Sequence, residues 1–240
     1  MLTYDQALTQ ILSRITPLQA TELTLADALG CVLTEDIPAL SQLPPFDNSS
    51  MDGFAVRADD VAAIGTVLPV QGDIPAGALS VPELRLGHAL RIMTGAPLPA
   101  GADSVVPVED TEARSEGVAF LEAAQRGRHI RWAGEDVAVG SVVLSADSLI
   151  RPAEIGMAAA VGRAAVRAYP RPRVAVLSTG DELIEPGQPL QTGQIYNSNA
   201  YALAAQVIEA GGVVTQRLHA RDSAQALRDA FDACAGVDVI

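Results

Sequence analysis

The chain has 240 residues with 29 acidic against 16 basic side chains, a formal net charge of −13 and a pI near 4.5. So acidic a chain lacks the basic footprint that displaces counterions from nucleic acid, which excludes a general nucleic-acid binder. The longest apolar runs, such as 155–161, fall far short of the ~20 residues a membrane helix needs. No basic region followed by an apolar run opens the sequence, so no signal peptide is expected. Cys31 and Cys234 form no CxxC pattern, so neither a disulfide framework nor a zinc site is supported. The expectation is a soluble cytoplasmic protein with neither membrane nor nucleic acid as partner. All 16 basic residues are arginine, so mechanisms built on a lysine are absent from this stretch.

In chain order, Leu8, Ile11, Leu12 and Ile15 recur at helical spacing, and Thr3 with Gln6 offers a capping box before them. A short second helix is predicted over 25–29, ending at Gly30, with Cys31-Val32-Leu33 extended after it. From Pro38 to about Gly140 the texture changes. Prolines and glycines punctuate short β-rich runs at 66–70, 104–108, 118–121, 129–132 and 141–144, which predicts a β module of barrel or sandwich type. Pro152 then opens a helix carrying Ile155, Met157, Ala158 and Val161, stopped by Gly162.

A third texture begins near Arg171. The continuous apolar run 174–177 reads as a strand buried on both faces. A helix is predicted over 199–210, with Ser198 or Asn199 as cap and Gly211-Gly212 as stop. Val213-Val214 starts a second strand, Ser223 caps a helix to about Ala233, and 237–240 starts a third strand. Strand, helix, strand, helix, strand is a doubly wound α/β unit. A domain of that type needs further strands, so the sequence is expected to be part of a longer protein.

Four stretches carry candidate chemistry. Residues 44–54, PPFDNSSMDGF, set small polar residues and two carboxylates between aromatics. They read either as a surface turn or as a loop presenting Asp52 to a substrate or metal ion, with Gly53 permitting close backbone approach. Residues 91–99, RIMTGAPLP, end a strand at Thr94, whose hydroxyl and N–H could meet an anion or merely close a turn. Residues 126–136, RGRHIRWAGED, hold three arginines within six residues. Arginine's planar fork suits phosphate, and strand alternation would put His129 and Arg131 on one face; the alternative is a solvated charged edge. Residues 178–182, STGDE, follow the apolar strand, at the carboxyl edge where open α/β sheets bind ligands. Ser178, Thr179 and Gly180 resemble an anion-binding turn, Asp181 and Glu182 could hold Mg²⁺ bridging to phosphate, and Arg221-Asp222 fall on the same edge. His88, His129 and His219 lack ligand spacing and read as structural. No GxGxxG, GxxxxGK[ST] or GxSxG occurs.

Together, PPFDNSSMDGFAV, RIMTGAPLPAGADSVVPVED, GEDVAVG and VLSTGDELIEPGQPLQTGQIYNSN resemble the molybdopterin molybdenumtransferases, the MoeA and gephyrin E-domain family, in order and spacing over residues 44–199. The resemblance implies a multidomain α+β fold. Residues 1–37 and 141–170 would form a helical and extended linker and dimerisation domain, 38–140 a small β-rich domain, and 171–240 the first part of a doubly wound α/β, molybdopterin-binding-like domain. It implies insertion of molybdate into the dithiolene of adenylylated molybdopterin with release of AMP, assisted by Mg²⁺, in a homodimer with a composite active site. A pterin adenylyltransferase could deliver the substrate.

By motif, Asp52, Thr94, Asp136 and Glu182 match functionally important family positions, assigned here to catalysis. Arg131, Ser178, Thr179, Gly180 and Asp222 fall to substrate binding, and Asp181 with Glu182 to metal. Thr94 would donate to an oxyanion and Arg131 would offset phosphate charge. Trp132-Ala133 depart from the family, which often carries more basic or polar residues there. The family continues beyond residue 240 into a Ser-Gly-Gly-rich loop and a lysine-bearing molybdate site, so the piece alone is expected to be inactive. The alternatives are a dimeric scaffold of the same architecture without catalysis, or another pterin- or nucleotide-linked enzyme sharing the α/β domain.

Overall fold

The structure, a computed structural model, describes residues 2–240. The chain begins with helix α1 (Tyr4–Leu12) and strands β1 (Thr21–Thr24), β2 (Val32–Leu33) and β3 (Ile37–Pro38). The middle carries β4 (Asn48–Ser49), β5 (Gly53–Val56), β6 (Val67–Leu68), β7 (Val70–Ile74), β8 (Ala89–Ile92) and β9 (Ser104–Pro107). There follow β10 (Thr111–Arg114), β11 (Gly117–Phe120), β12 (Ile130–Arg131), β13 (Val142–Leu144), α2 (Pro152–Ala160) and β14 (Ala165–Tyr169). The last part holds β15 (Arg173–Thr179), β16 (Leu183–Ile184), β17 (Ile195–Tyr196), α3 (Ser198–Glu209), β18 (Val213–Ala220) and α4 (Ala224–Ala233). The fold is thus mixed α+β. Contacts divide it into two units: residues up to Ile37 with Leu144–Ala159 and Ala164–Ile240, and Pro38–Val143 with Ala160–Arg163.

In the first unit α1 starts with the expected capping box: the Thr3 hydroxyl accepts the Gln6 N–H at 3.3 Å, and Gln6 Oε1 accepts the Thr3 N–H at 3.0 Å. β14 lies between β1 and β2 in an antiparallel sheet, and its alternate residues Val166 and Ala168 are buried. The helix expected over 25–29 is instead a run of turns. Thr24 and Asp27 bond to each other and to the local backbone, and so short a segment does not repay helix nucleation. Helix α2 opens on Pro152, as expected. The Arg151 guanidinium, hydrogen-bonded to Glu154 at 2.9 Å, holds that carboxyl down to about 2.

β15 and β18 run parallel, paired from Arg173↔Val213 to Thr179↔Ala220 with a one-residue register shift between Val174 and Ala175, and α3 lies in the connection between them. Ser223 caps α4 by accepting the Ala226 N–H, as expected. The cap of α3 is Asn197 rather than Ser198 or Asn199, and its side chain is turned to Ser178 instead of the helix. Val239 bridges in parallel to Val174, on the side of β15 away from β18.

The second unit is built on a four-stranded sheet ordered β7-β8-β5-β9, with a three-stranded sheet β10-β11-β6 and the pair β12-β4. β5 is buried throughout, and its side chains alternate between two cores. Phe54 and Val56 join Val61, Leu68, Val106, Val118 and Phe120, where Phe54 and Phe120 meet edge to face at 6.3 Å. Ala55 joins Ile74, Leu90, Ile92, Val105 and Ile130 on the other face.

Gly53 begins β5 where β9 crowds closest. A Cβ there would collide with the Val106 carbonyl, a backbone atom that cannot swing aside. The close approach that Gly53 permits is therefore of a neighbouring strand. Gly53→Ala is expected to destabilise the protein by roughly 1–3 kcal/mol, as overpacking does; urea unfolding checks this, and an unchanged midpoint would show that β9 yields without cost.

Candidate functional site

Three stretches far apart in sequence meet at β4 in the second unit. On one side, the Ser49 N–H donates to the Ala96 carbonyl at 3.1 Å, and the Gly95 N–H donates to the Ser49 carbonyl at 2.8 Å. On the other, β12 pairs antiparallel, setting Arg131 opposite Asn48 and Ile130 opposite Ser49. Asn48 and Ser49 are buried polar residues that shape the turn. Asn48 Nδ2 donates to the Phe46 carbonyl at 3.0 Å, and the Ser49 hydroxyl donates to the Met51 carbonyl at 2.6 Å. The chain then emerges at Asp52, just before β5.

Asp52 is exposed and tied to Thr94. Its Oδ1 accepts both the Thr94 N–H at 2.7 Å and the Thr94 hydroxyl at 2.8 Å. Those two bonds, the backbone one foremost, hold the Asp52 carboxyl below its ordinary value, with the charge of Arg91 adding to them. In this structure the N–H and the hydroxyl proton of Thr94, the donors expected to meet an oxyanion, are both bonded to the Asp52 carboxylate.

The arginine-rich stretch is neutralised within the unit. Arg126 pairs with Asp59 at 2.5 Å and Asp103 at 3.4 Å, and Arg128 with Glu122 at 3.3 Å. Arg131 is held by Glu135 at 3.3 Å and by Asp136 through a short bond. The strand expected over 129–132 shrinks to Ile130–Arg131, because His129 has a left-handed backbone (φ 59°). His129 and Arg131 therefore do not alternate along one strand face.

In the first unit the 178–182 turn lies at the carboxyl ends of β15 and β18, the edge expected from sequence. The Gly180 N–H donates to the Ala220 carbonyl at 3.2 Å, and His219 Nε2 lies 2.7 Å from the Gly180 carbonyl, as donor. Ser178 donates to the Leu218 carbonyl at 3.3 Å and accepts from Asn197 Nδ2 at 2.8 Å. The Gly180 N–H and Ser178 hydroxyl are thus bonded inside the fold. Neither Asn197 nor His219 stands out in the sequence as part of this turn. The NSN before α3 is the only signal for the first, and nothing marks the second, whose partner lies 39 residues away.

Two hollows flank this turn. One, of about 370 Å³, is lined by Ser178, Thr179, Glu182, Tyr196 and Asn197. The other, open and of about 910 Å³, is lined by Asp181, Glu185, His219, Arg221 and Asp222. Among the described residues no three His, Cys, Asp or Glu side chains gather as a metal site. Asp181 and Glu182, the residues expected to hold Mg²⁺, line separate hollows. Asp181 is placed beside Asp222 instead, its Oδ1 3.4 Å from the Asp222 N–H. No helix among the described residues is long and apolar enough to cross a membrane.

Residues 2–162 match the family model of the MoeA N-terminal region (domain I and II), and residues 175–240 match that of a probable molybdopterin binding domain. The chain belongs to the family of the MoeA N-terminal region. It is 49% identical over 202 residues to molybdopterin molybdenumtransferase 2 of Mycobacterium tuberculosis (strain ATCC 25618 / H37Rv), covering 82% of this chain and 50% of that one. It is 41% identical over 205 residues to the molybdopterin molybdenumtransferase of Haemophilus influenzae, covering 85% of this chain and 50% of that one. A crystal structure of the molybdopterin biosynthesis moeA protein from Pyrococcus horikoshii OT3 superposes with a TM-score of 0.78 at 30% identity, covering 97% of this chain and 64% of that one. The chain spans about half the length of the curated relatives it matches.

Proposed function

We propose that the full-length protein works in molybdenum cofactor biosynthesis. It inserts molybdate into the dithiolene of adenylylated molybdopterin and releases AMP, as a homodimer supplied by a pterin adenylyltransferase, and the 240-residue piece is inactive alone. The observation that carries this reading is the gathering of residues 46–52, 94–97 and 128–136 around β4, the stretches on which the family likeness rests.

Carboxylates do not draw an anionic substrate by charge, since like charges repel. Asp52 is held ionised with Oδ1 saturated by Thr94, so Oδ2 is the atom that takes a proton or hydrogen bond from an oxygen nucleophile attacking the phosphoanhydride. Asp136 keeps Arg131 in place, and Glu182 presents its carboxylate in the smaller hollow beside Thr179. Mg²⁺ would be held by Asp181 or Glu182 together with substrate phosphates, where it would offset phosphate charge.

Molybdate-dependent release of AMP by the full-length protein tests the proposal. Absence of release together with a stable dimer in sedimentation would favour the scaffold. Thr94→Val keeps the N–H bond to Asp52 and removes the hydroxyl bond. Because the active form is the ionised one and both bonds lower the carboxyl, the variant is expected to shift the acid limb of the pH–rate profile to higher pH. An unmoved limb would remove Asp52 ionisation from the rate.

A further inference from the structure

We infer that Trp132 is a stacking platform for a planar heteroaromatic ring of the substrate, its purine or its pterin. This rests on the transferase reading and adds to it a residue that contacts the substrate.

The loop that carries Trp132 has its backbone donors committed one after another. The Trp132 N–H goes to Glu135 Oε2 at 2.9 Å, and the Ala133 N–H to Asp47 Oδ1 at 2.8 Å. The Gly134 N–H goes to the Pro44 carbonyl at 2.9 Å, the Glu135 N–H to the Trp132 carbonyl at 3.1 Å, and the Asp136 N–H to the Leu43 carbonyl at 3.0 Å. The guanidinium of Arg131, next to Trp132, is clamped by Glu135 and Asp136. On this braced loop Trp132 is 46% exposed, and a Cβ placed on Gly127 would come within van der Waals contact of Cζ2 of its ring. A large ring presented by an ordered loop loses little freedom when it is covered, so the stacking gain is not consumed by ordering.

Charge decides which part of the substrate this loop can recognise. Asp47, Glu135 and Asp136 stand against Arg131 alone, and Arg126 and Arg128 are paired elsewhere. The local field therefore opposes a phosphate. The group in the loop able to bind without charge is the indole, whose face stacks on any flat heteroaromatic ring.

The test uses the full-length protein with Trp132→Leu and Trp132→Phe, measuring calorimetric Kd for adenylylated molybdopterin and steady-state AMP release. Loss of stacking in Trp132→Leu should raise Kd and KM about 5- to 150-fold, with kcat within about twofold of wild type. Trp132→Phe, which keeps an aromatic face, should restore most of the affinity. Inhibition constants for AMP and for a pterin, measured separately, identify the stacked ring as the one whose binding weakens in Trp132→Leu. Equal Kd in wild type and Trp132→Leu, or equal weakening in both variants, would overturn the inference. If wild type releases no AMP the transferase reading fails by itself, and the binding titrations still decide Trp132.

Discussion

Asp52→Asn in the full-length protein is expected to slow AMP release by about 10²- to 10⁴-fold, the span over which a positioned general base acts, while leaving the fold intact. Asparagine keeps an Oδ1 that accepts the Thr94 N–H and hydroxyl now bound at 2.7 and 2.8 Å, so the link between the two loops survives. What is lost is the negative charge and the basicity of the second oxygen. The paired measurements are AMP release at saturating molybdate and thermal unfolding followed by circular dichroism. A variant with wild-type rate would mean that Asp52 serves only to hold Thr94. A variant that melts early would mean that the ionised carboxylate is needed to brace β4.

Gly180→Ala should be nearly as damaging, for a steric reason. Gly180 is buried with a backbone φ of 142°, a region where side chains are strained, and an added Cβ would run into the carboxylate of Glu182. The backbone strain alone costs about 1–3 kcal/mol. Gly180 cannot simply shift, because its N–H is bound to Ala220 and its carbonyl to His219. Glu182 must therefore move, and in its proposed role a displacement of about 1 Å would cost on the order of 10² in rate. Activity and unfolding midpoint are both expected to fall. In the double variant Gly180→Ala/Glu182→Ala the midpoint should stay near that of the single variant, because the displaced carboxylate ends a flexible side chain and the loss comes from the backbone strain. An unchanged midpoint in the single variant would show the turn to be softer than its hydrogen bonds imply.

The elements readable in advance are those whose causes lie within a few residues. The Thr3–Gln6 capping box, Pro152 at the start of α2, Ser223 before α4 and the apolar run of β15 each act over one turn or one strand. Where a local signal misled, a competing partner was at hand. The segment 25–29 lost its helix to the Thr24–Asp27 bonds, and Asn197 displaced Ser198 as the cap of α3 because its amide reaches Ser178.

The chemistry-bearing side chains divide along the same line. The order and spacing of four motifs singled out Asp52, Thr94, Asp136 and Glu182 as candidates, and the apolar run of β15 located the carboxyl edge that carries the 178–182 turn. That Thr94 spends both donors on Asp52, that Arg131 is neutralised by Glu135 and Asp136, and that Asp181 and Glu182 face separate hollows was not legible in the sequence. Caps, turn residues and apolar periodicity are set by neighbours along the chain, so the sequence by itself determined the helices, the buried strands and the identity of the candidate residues. The partners of those residues are chosen by strand pairing and loop closure across tens of residues, such as the 42 that separate Asp52 from Thr94, so only the tertiary structure decided which donors, charges and rings remain available to a substrate.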